Sequence, residues 1–342
     1  MTTHDSGALS LHNPPWRLYL RRSIVLYFLL AAAYGILLAA LPLYGFPDRG
    51  NYFRYADGSL PILLRYLDGG ILTFLANEPI WLLLNIFLRL FVEPEMVMRT
   101  LIGVPAFVIA YKVLNSCKKE VVLALVILFL PPVLKNYTTQ LRQGVAIAFF
   151  LCGYMSSSKT LRGVLIGLTP FIHASFFFVV FILGVTRLTE RLRLTNNLIQ
   201  GMDGALGAGL GLASLWIAGQ LGARQAAASY AYGLTVGIIR GPGIGFLFWL
   251  IMALVLTLAG KSYRKQYSFE LGFLIFYLFS YFVFLWAGRV FENALVLVLL
   301  SILGLPKSRR KVAKLLLSGF FFLTWAQVIF IGSPMFPALR LL

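Results

Sequence analysis

Arg142 and Gln143 stand at the head of a long apolar run in KNYTTQLRQGVAIAFF, residues 135–150. His173 sits among apolar neighbours in LTPFIHASFFFVV, and Glu78 opens the run NEPIWLLLN. Arg289 and Glu292, in WAGRVFENALVL, are spaced to pair on one helical turn. An arginine fork binds phosphate oxygens two at a time. It stabilises charge on a departing phosphate most where water is excluded. A histidine or carboxylate nearby supplies a general base. Each residue also has a plainer use. Arg142 can snorkel from a helix mouth, and Glu78, with Pro79 behind it, can cap a helix and complement its dipole. His173 can bond a helix backbone, and Arg289 with Glu292 can form a structural ion pair. Ionisable groups inside membrane segments are nevertheless functional hypotheses by default.

The elements that must hold these residues are membrane helices. The chain has 342 residues, 59% of them hydrophobic and only 12% charged, with a mean hydropathy of +0.83. A soluble domain is less apolar and more charged. A span needs roughly 20 apolar residues, and runs of that order occur at 23–43, 163–186, 198–219, 268–287 and 315–332. Shorter runs at 79–92, 100–115, 120–134, 143–155, 243–260 and 290–305 predict tilted, broken or half-length helices. The expected fold is all-α: a polytopic integral membrane protein of about 11 transmembrane or half-membrane helices, forming one membrane-embedded domain over 1–342. The first run follows Arg17, Arg21 and Arg22 but is longer than a signal h-region. It is expected to be helix 1, with 1–22 a cytoplasmic tail.

The net charge of +18 does not point to nucleic acid, because the basic residues cluster in short loops. These are Lys118/Lys119, Lys159/Arg162, Arg187/Arg191/Arg193, Lys261/Arg264/Lys265 and Lys307/Arg309/Arg310/Lys311/Lys314. Such loops fix topology and meet anionic lipid headgroups. With all of them cytoplasmic, the other face receives the loop 44–78, the Arg142 loop, the loop 219–242 with Arg224 and Arg240, and the turn at Arg289. That path requires 79–116 to cross once and 161–186 to enter and return near His173. A rival path has 79–92 and 100–115 each cross, makes 161–186 a single span, and puts Arg142 inside. Pro94 and Pro170 are candidate break points. The first path is favoured because it gathers Arg142, Arg224, Arg240, Arg289 and Arg340 on one face with few acids. Such an excess of guanidinium suits a phosphate or pyrophosphate, and a lipid-linked diphosphate is the membrane-resident form.

Other chemistries find no motif. His4 and His12 lie in the polar tail, and there is no HExxH, paired CxxC or GxSxG. Cys117 and Cys152 make no disulfide framework. The stretch GMDGALGAGLGLASLWIAG, 201–219, spaces small residues for close helix packing, with Asp203 read as packing or topology.

Four stretches together resemble the EpsG-like group of Wzy-type polysaccharide polymerases. They are PDRGNYFRY (47–55), NEPIWLLLN (77–85), NYTTQLRQGVAIAFFLCGYMSSSK running on to PFIHASFFF (136–178), and WAGRVFENALVLVLLSILGLP (286–306). The Asp…Tyr…Tyr pattern of the first is loosely spaced, and 195–242 carries no matching motif. The resemblance implies a GT-C-like glycosyltransferase bundle in the bacterial inner membrane, active at its periplasmic face. Donor and acceptor would both be glycans on undecaprenyl diphosphate, with no cofactor or metal and no nucleic acid. Membrane lipids and a chain-length-regulating co-polymerase are the other expected partners. Arg142 and Arg289 would stabilise the leaving diphosphate, assisted by Arg224 or Arg240 on charge alone. His173 or Glu78 would serve as base, and Asp48, Tyr52, Tyr55, Gln143 and Glu292 would contact substrate. A flippase for the same lipid-linked sugars and an O-antigen ligase are the alternatives.

Overall fold

The computed structural model describes residues 24–118, 120–220, 243–284 and 286–332, which form helices and no strands. Arg224, Arg240 and Arg340, the tail 1–22 and residues 221–242 lie outside the described residues. The first half comprises α1 (Ile24–Ala40), α2 (Arg49–Asp68), α3 (Ile71–Ala76), α4 (Pro79–Arg89), α5 (Pro94–Ser116), α6 (Val121–Leu128), α7 (Pro131–Thr138) and α8 (Leu141–Tyr154). The second comprises α9 (Lys159–Ile172), α10 (Phe176–Arg191), α11 (Asn196–Gln220), α12 (Ile244–Thr257), α13 (Lys261–Gln266), α14 (Ser268–Ser280), α15 (Ala287–Glu292), α16 (Leu295–Ser301) and α17 (Lys307–Ala326). Proline opens α4, α5 and α7, where its missing N–H would have had no helical partner.

Pro94–Ser116 and Lys307–Phe330 are long and apolar enough to cross a bilayer. Val121–Leu128 and Pro131–Thr138, bent by 54°, make a third if taken as one span. The other apolar helices are shorter, so the described residues show two or three span-length elements and a set of shorter apolar helices. Within 79–116 only α5 has span length, since the 11-residue α4 is about 16 Å long. The run 268–287 is also broken, with α14 ending at Ser280 and α15 starting at Ala287. Large apolar side chains on α1, α12 and α17, such as Leu37, Leu254 and Leu323, face outward, as compatible with lipid as they are unsuited to water.

Contacts between distant segments give the bundle two ends. At one, Arg99 Nη1 donates to the Ala39 carbonyl at 2.6 Å, Arg49 Nε to the Thr138 carbonyl at 2.7 Å, and Gln143 Nε2 to the Arg289 carbonyl at 2.8 Å. At the other, Tyr27 donates to the Lys118 carbonyl at 3.0 Å, Lys314 pairs with Glu120, and Tyr263 donates to the Ser301 carbonyl at 3.1 Å. Tyr154 and Glu190 both reach the start of α14 there, through Glu270 and Ser268. Helix α8 therefore runs from the first end at Arg142 to the second at Tyr154. Helix α9 returns to the first end at His173, and α10 goes back to the second at Glu190. The stretch 161–186 is thus two opposed helices rather than one span. The break comes at His173 and not at Pro170, which lies inside α9. The described members of the basic clusters collect at the second end, opposite Arg142.

The glycine stripe of α11 does pack closely. A methyl on Gly207 would run into the Phe276 carbonyl, on Gly204 into the Phe279 ring, and on Gly211 into Val283 and Phe284. Asp203 is fully buried two turns into the same helix, against Gly272.

Candidate functional site

Glu78 precedes α4 in the left-handed conformation (φ 61°, ψ 53°), uncommon for a residue with a side chain. Its carboxylate does not cap the helix, as a plain reading of NEPIW would have it. Instead it is fully buried, bonded through Oε2 to Arg142 Nη1. Oε1 lies 2.8 Å from His173 Nδ1 and accepts from the Ala174 N–H at 3.2 Å. Backbone strain of this kind costs on the order of 1–3 kcal/mol and persists where surroundings enforce it. Here three partners from two other segments do so.

Each partner has a local reason for its place. Gly144 lets the start of α8 sit against the Asn136 carbonyl and the Tyr137 ring, where a methyl would clash. That approach leaves Arg142 and Gln143 in the first turn of α8. His173 is extended (φ −147°, ψ 118°), which ends α9 and frees the Ala174 N–H from helical bonding. Two residues on, Ser175 Oγ accepts from Asn293 Nδ2 at 2.8 Å. The His-x-Ser element is therefore held at both ends, by Glu78 and by Asn293.

The stretch expected as a polar loop after the first helix is largely helix α2, kinked at Gly58. Tyr52 and Tyr55 meet Trp81 edge-on at 5.7 and 6.4 Å. The Arg142 guanidinium carbon lies 6.0 and 5.6 Å from the two tyrosine ring centroids, within cation–π range. Asp48 is exposed and left-handed (φ 65°), and its carboxylate meets Asn51 at 3.5 Å rather than the Glu78 cluster.

Arg289 and Glu292 do not pair. Glu292 is bonded to Lys135 of α7, whereas exposed Arg289 stacks its guanidinium over Trp286 at 4.5 Å. A buried partner from another helix outcompetes the neighbour on the same turn, because Lys135 left alone would be an unpaired buried charge. Arg142 and Arg289 are joined through Gln143, whose side chain bonds the Arg289 carbonyl.

Sequence reasoning passed over Arg49 and Lys135. Arg49 is 2% exposed and donates to the carbonyls of Thr138 and Tyr137 at the end of α7, where the helix dipole favours a cation. Burial lowers its pKa to about 10, so it stays charged at neutral pH. Only the tertiary contact marks it, since a local reading cannot distinguish it from other arginines of the segment.

The chemistry of the cluster follows from its bonds. An ionised Glu78 can only accept, so His173 Nδ1 carries the proton in that bond, and in the neutral form of the ring Nε2 has the lone pair of a base. Glu78 itself has both oxygens engaged and serves to orient. Arg142, 22% exposed along its side chain, retains donors beyond the one given to Glu78. It stands in the first turn of α8, whose start adds partial positive charge. Among the described residues no group of His, Cys, Asp and Glu could hold a metal. No family model, curated protein or solved structure matches the chain.

Proposed function

We propose that this protein is an integral-membrane glycosyltransferase that polymerises oligosaccharide units carried on a lipid diphosphate. The observation that carries the reading is the Arg142–Glu78–His173 cluster, where segments 64 and 95 residues apart in sequence meet on one carboxylate. Of the four stretches that resemble the polymerase family, each sends at least one bond or ring contact to this cluster or to its immediate neighbour Gln143.

In this reading Arg142 holds the donor's diphosphate, with Arg289 as a second cation across Gln143. The acceptor sugar's hydroxyl gives its proton to His173 Nε2 as its oxygen attacks the donor's anomeric carbon. The bond from that carbon to the diphosphate oxygen breaks, and the electron pair leaves on the lipid diphosphate. Developing charge there is met by guanidinium. Glu78 fixes the imidazole and is stabilising to the imidazolium. Tyr55, half-buried beside Arg142, offers an aromatic face to a sugar, and the buried Tyr52 backs it against Trp81. In a GT-C-like bundle the basic end would face the cytoplasm under the positive-inside rule, and the cluster's end the opposite side. Arg224 and Arg240 enter this scheme on charge alone.

The test is replacement of Arg142 by Gln and of His173 by Ala in cells lacking the native copy, followed by sizing of the surface and lipid-linked glycan. Loss of polymerisation should leave single repeat units. Long polymer accumulating on its lipid carrier would point to a ligase, and absence of units from the outer face to a flippase. Full-length polymer in both variants would overturn the reading.

A further inference from the structure

A second cationic recess adjoins the cluster. Asn51, Arg54, Tyr55, Ile62, Arg65 and Tyr66, all on α2, line an open space of about 160 Å³, many times the room a single water needs. Arg54 and Arg65 are both exposed, and neither forms an ion pair among the described residues, although Asp57 and Asp68 follow each of them by three positions. Arg65 rests over the Tyr66 ring at 5.4 Å. Tyr55 belongs to both places: it lines the recess, and the Arg142 guanidinium carbon is 5.6 Å from its ring centroid. On other flanks of the same helix Leu60, Leu64 and Leu67 are exposed, as are Ile71 and Leu72 of α3. The recess therefore opens beside apolar surface of the kind a bilayer covers.

We infer that this recess is a second diphosphate subsite, which holds the head of the acceptor lipid while Arg142 holds that of the donor. The inference rests on the transfer reading of the Arg142–Glu78–His173 cluster. Joining two lipid-linked glycans requires two diphosphates at once, and they must lie apart, because the acceptor reacts at the sugar end remote from its lipid. Two guanidiniums facing one open space match a diphosphate in charge and in their paired donors. Tyr55 forms the shared wall across which the acceptor's sugars reach His173, and Tyr66 gives Arg65 a fixed bearing.

The probe is farnesyl diphosphate, titrated calorimetrically into the full chain in phosphatidylcholine nanodiscs. Wild-type protein should show two separable binding events. The Arg54→Gln/Arg65→Gln variant should lose one of them, weakened roughly tenfold for each guanidinium removed. Arg142→Gln should lose the other, and the event each variant keeps reports that it is folded. If Arg54→Gln/Arg65→Gln binds as wild type does while Arg142→Gln abolishes binding, the second subsite is wrong and the transfer reading stands. If Arg142→Gln leaves both events intact, the diphosphate role of Arg142 fails, and with it the basis of the inference. Loss of the Arg54/Arg65-dependent event alone in phosphatidylglycerol nanodiscs would identify a phospholipid headgroup site, which also overturns the proposal.

Discussion

Glu78 Oε1 lies 2.8 Å from His173 Nδ1, while Oε2 of the same carboxylate is bonded to Arg142. One buried anion thus sets the tautomer of an imidazole and neutralises a guanidinium. It also ties the start of α4 to the start of α8 and to the break between α9 and α10. Charge, geometry and chain path at this end of the bundle depend on a single side chain.

Replacing Glu78 with Gln should therefore have two separable effects. Arg142 loses its counter-charge in a largely dry site, which should cost about 2 kcal/mol, less than a wholly buried pair because Arg142 is 22% exposed. Glutamine has one oxygen for two partners: turned toward Arg142, it sets its NH2 against His173 Nδ1, which drives the imidazole proton to Nε2 and should slow transfer by about two to three orders of magnitude. The double variant Glu78→Gln/Arg142→Gln should recover most of the thermal stability in detergent and none of the activity. Recovery of both would show that the cluster is structural.

Lys135 and Glu292 make the second cross-bundle pair, with side chains 8% and 13% exposed. Lys135→Met leaves Glu292 without its cation and should lower stability by about 3 kcal/mol. The exchanged pair, Lys135→Glu with Glu292→Lys, should restore much of it. Unfolding midpoints of the three proteins decide this, and a swap no better than the single change would mean that Lys135 is held by something other than Glu292.

What could be read in advance was what costs energy locally. Apolar runs announced α1, α5 and α17, the small residues of 201–219 announced close packing, and Glu78, Arg142 and His173 stood out because charge is expensive among apolar neighbours. Their meeting was not legible, because no local pattern spans the separations that the fold closes. In 161–186 the candidate break point Pro170 lies inside α9, and the helix ends at His173, where the return was expected, because Glu78 and Asn293 offer His173, Ala174 and Ser175 partners outside it. Arg289 and Glu292 had the spacing to pair, and the buried Lys135 outweighed that spacing.

The two ends of the bundle make its sidedness testable. In a chain with Cys117 and Cys152 replaced by Ser, Asp48→Cys reports the cluster's end and Lys159→Cys the basic end, both positions being exposed. A membrane-impermeant thiol reagent should label Asp48→Cys in intact cells and Lys159→Cys only after lysis. The reverse pattern would put the cluster on the cytoplasmic side and remove an extracytoplasmic transfer reaction.

Asp203 and Gly272 offer a test of the other half of the bundle. Asp203 is fully buried, and neither carboxylate oxygen has a hydrogen-bond partner among the described residues. A side chain at position 272 would occupy the space its Oδ2 fills. Gly272→Ala should therefore destabilise the α11–α14 contact by about 1–3 kcal/mol through overpacking. Adding Asp203→Gly should relieve the clash. Asp203→Ala by itself should be neutral or stabilising, because it removes a buried polar group whose desolvation is uncompensated. The measurement is the unfolding midpoint of each variant beside wild type. A marked loss of stability on Asp203→Ala would mean that the carboxylate is satisfied by a partner in the folded protein, and that α11 is held to α14 by more than the packing of its glycines.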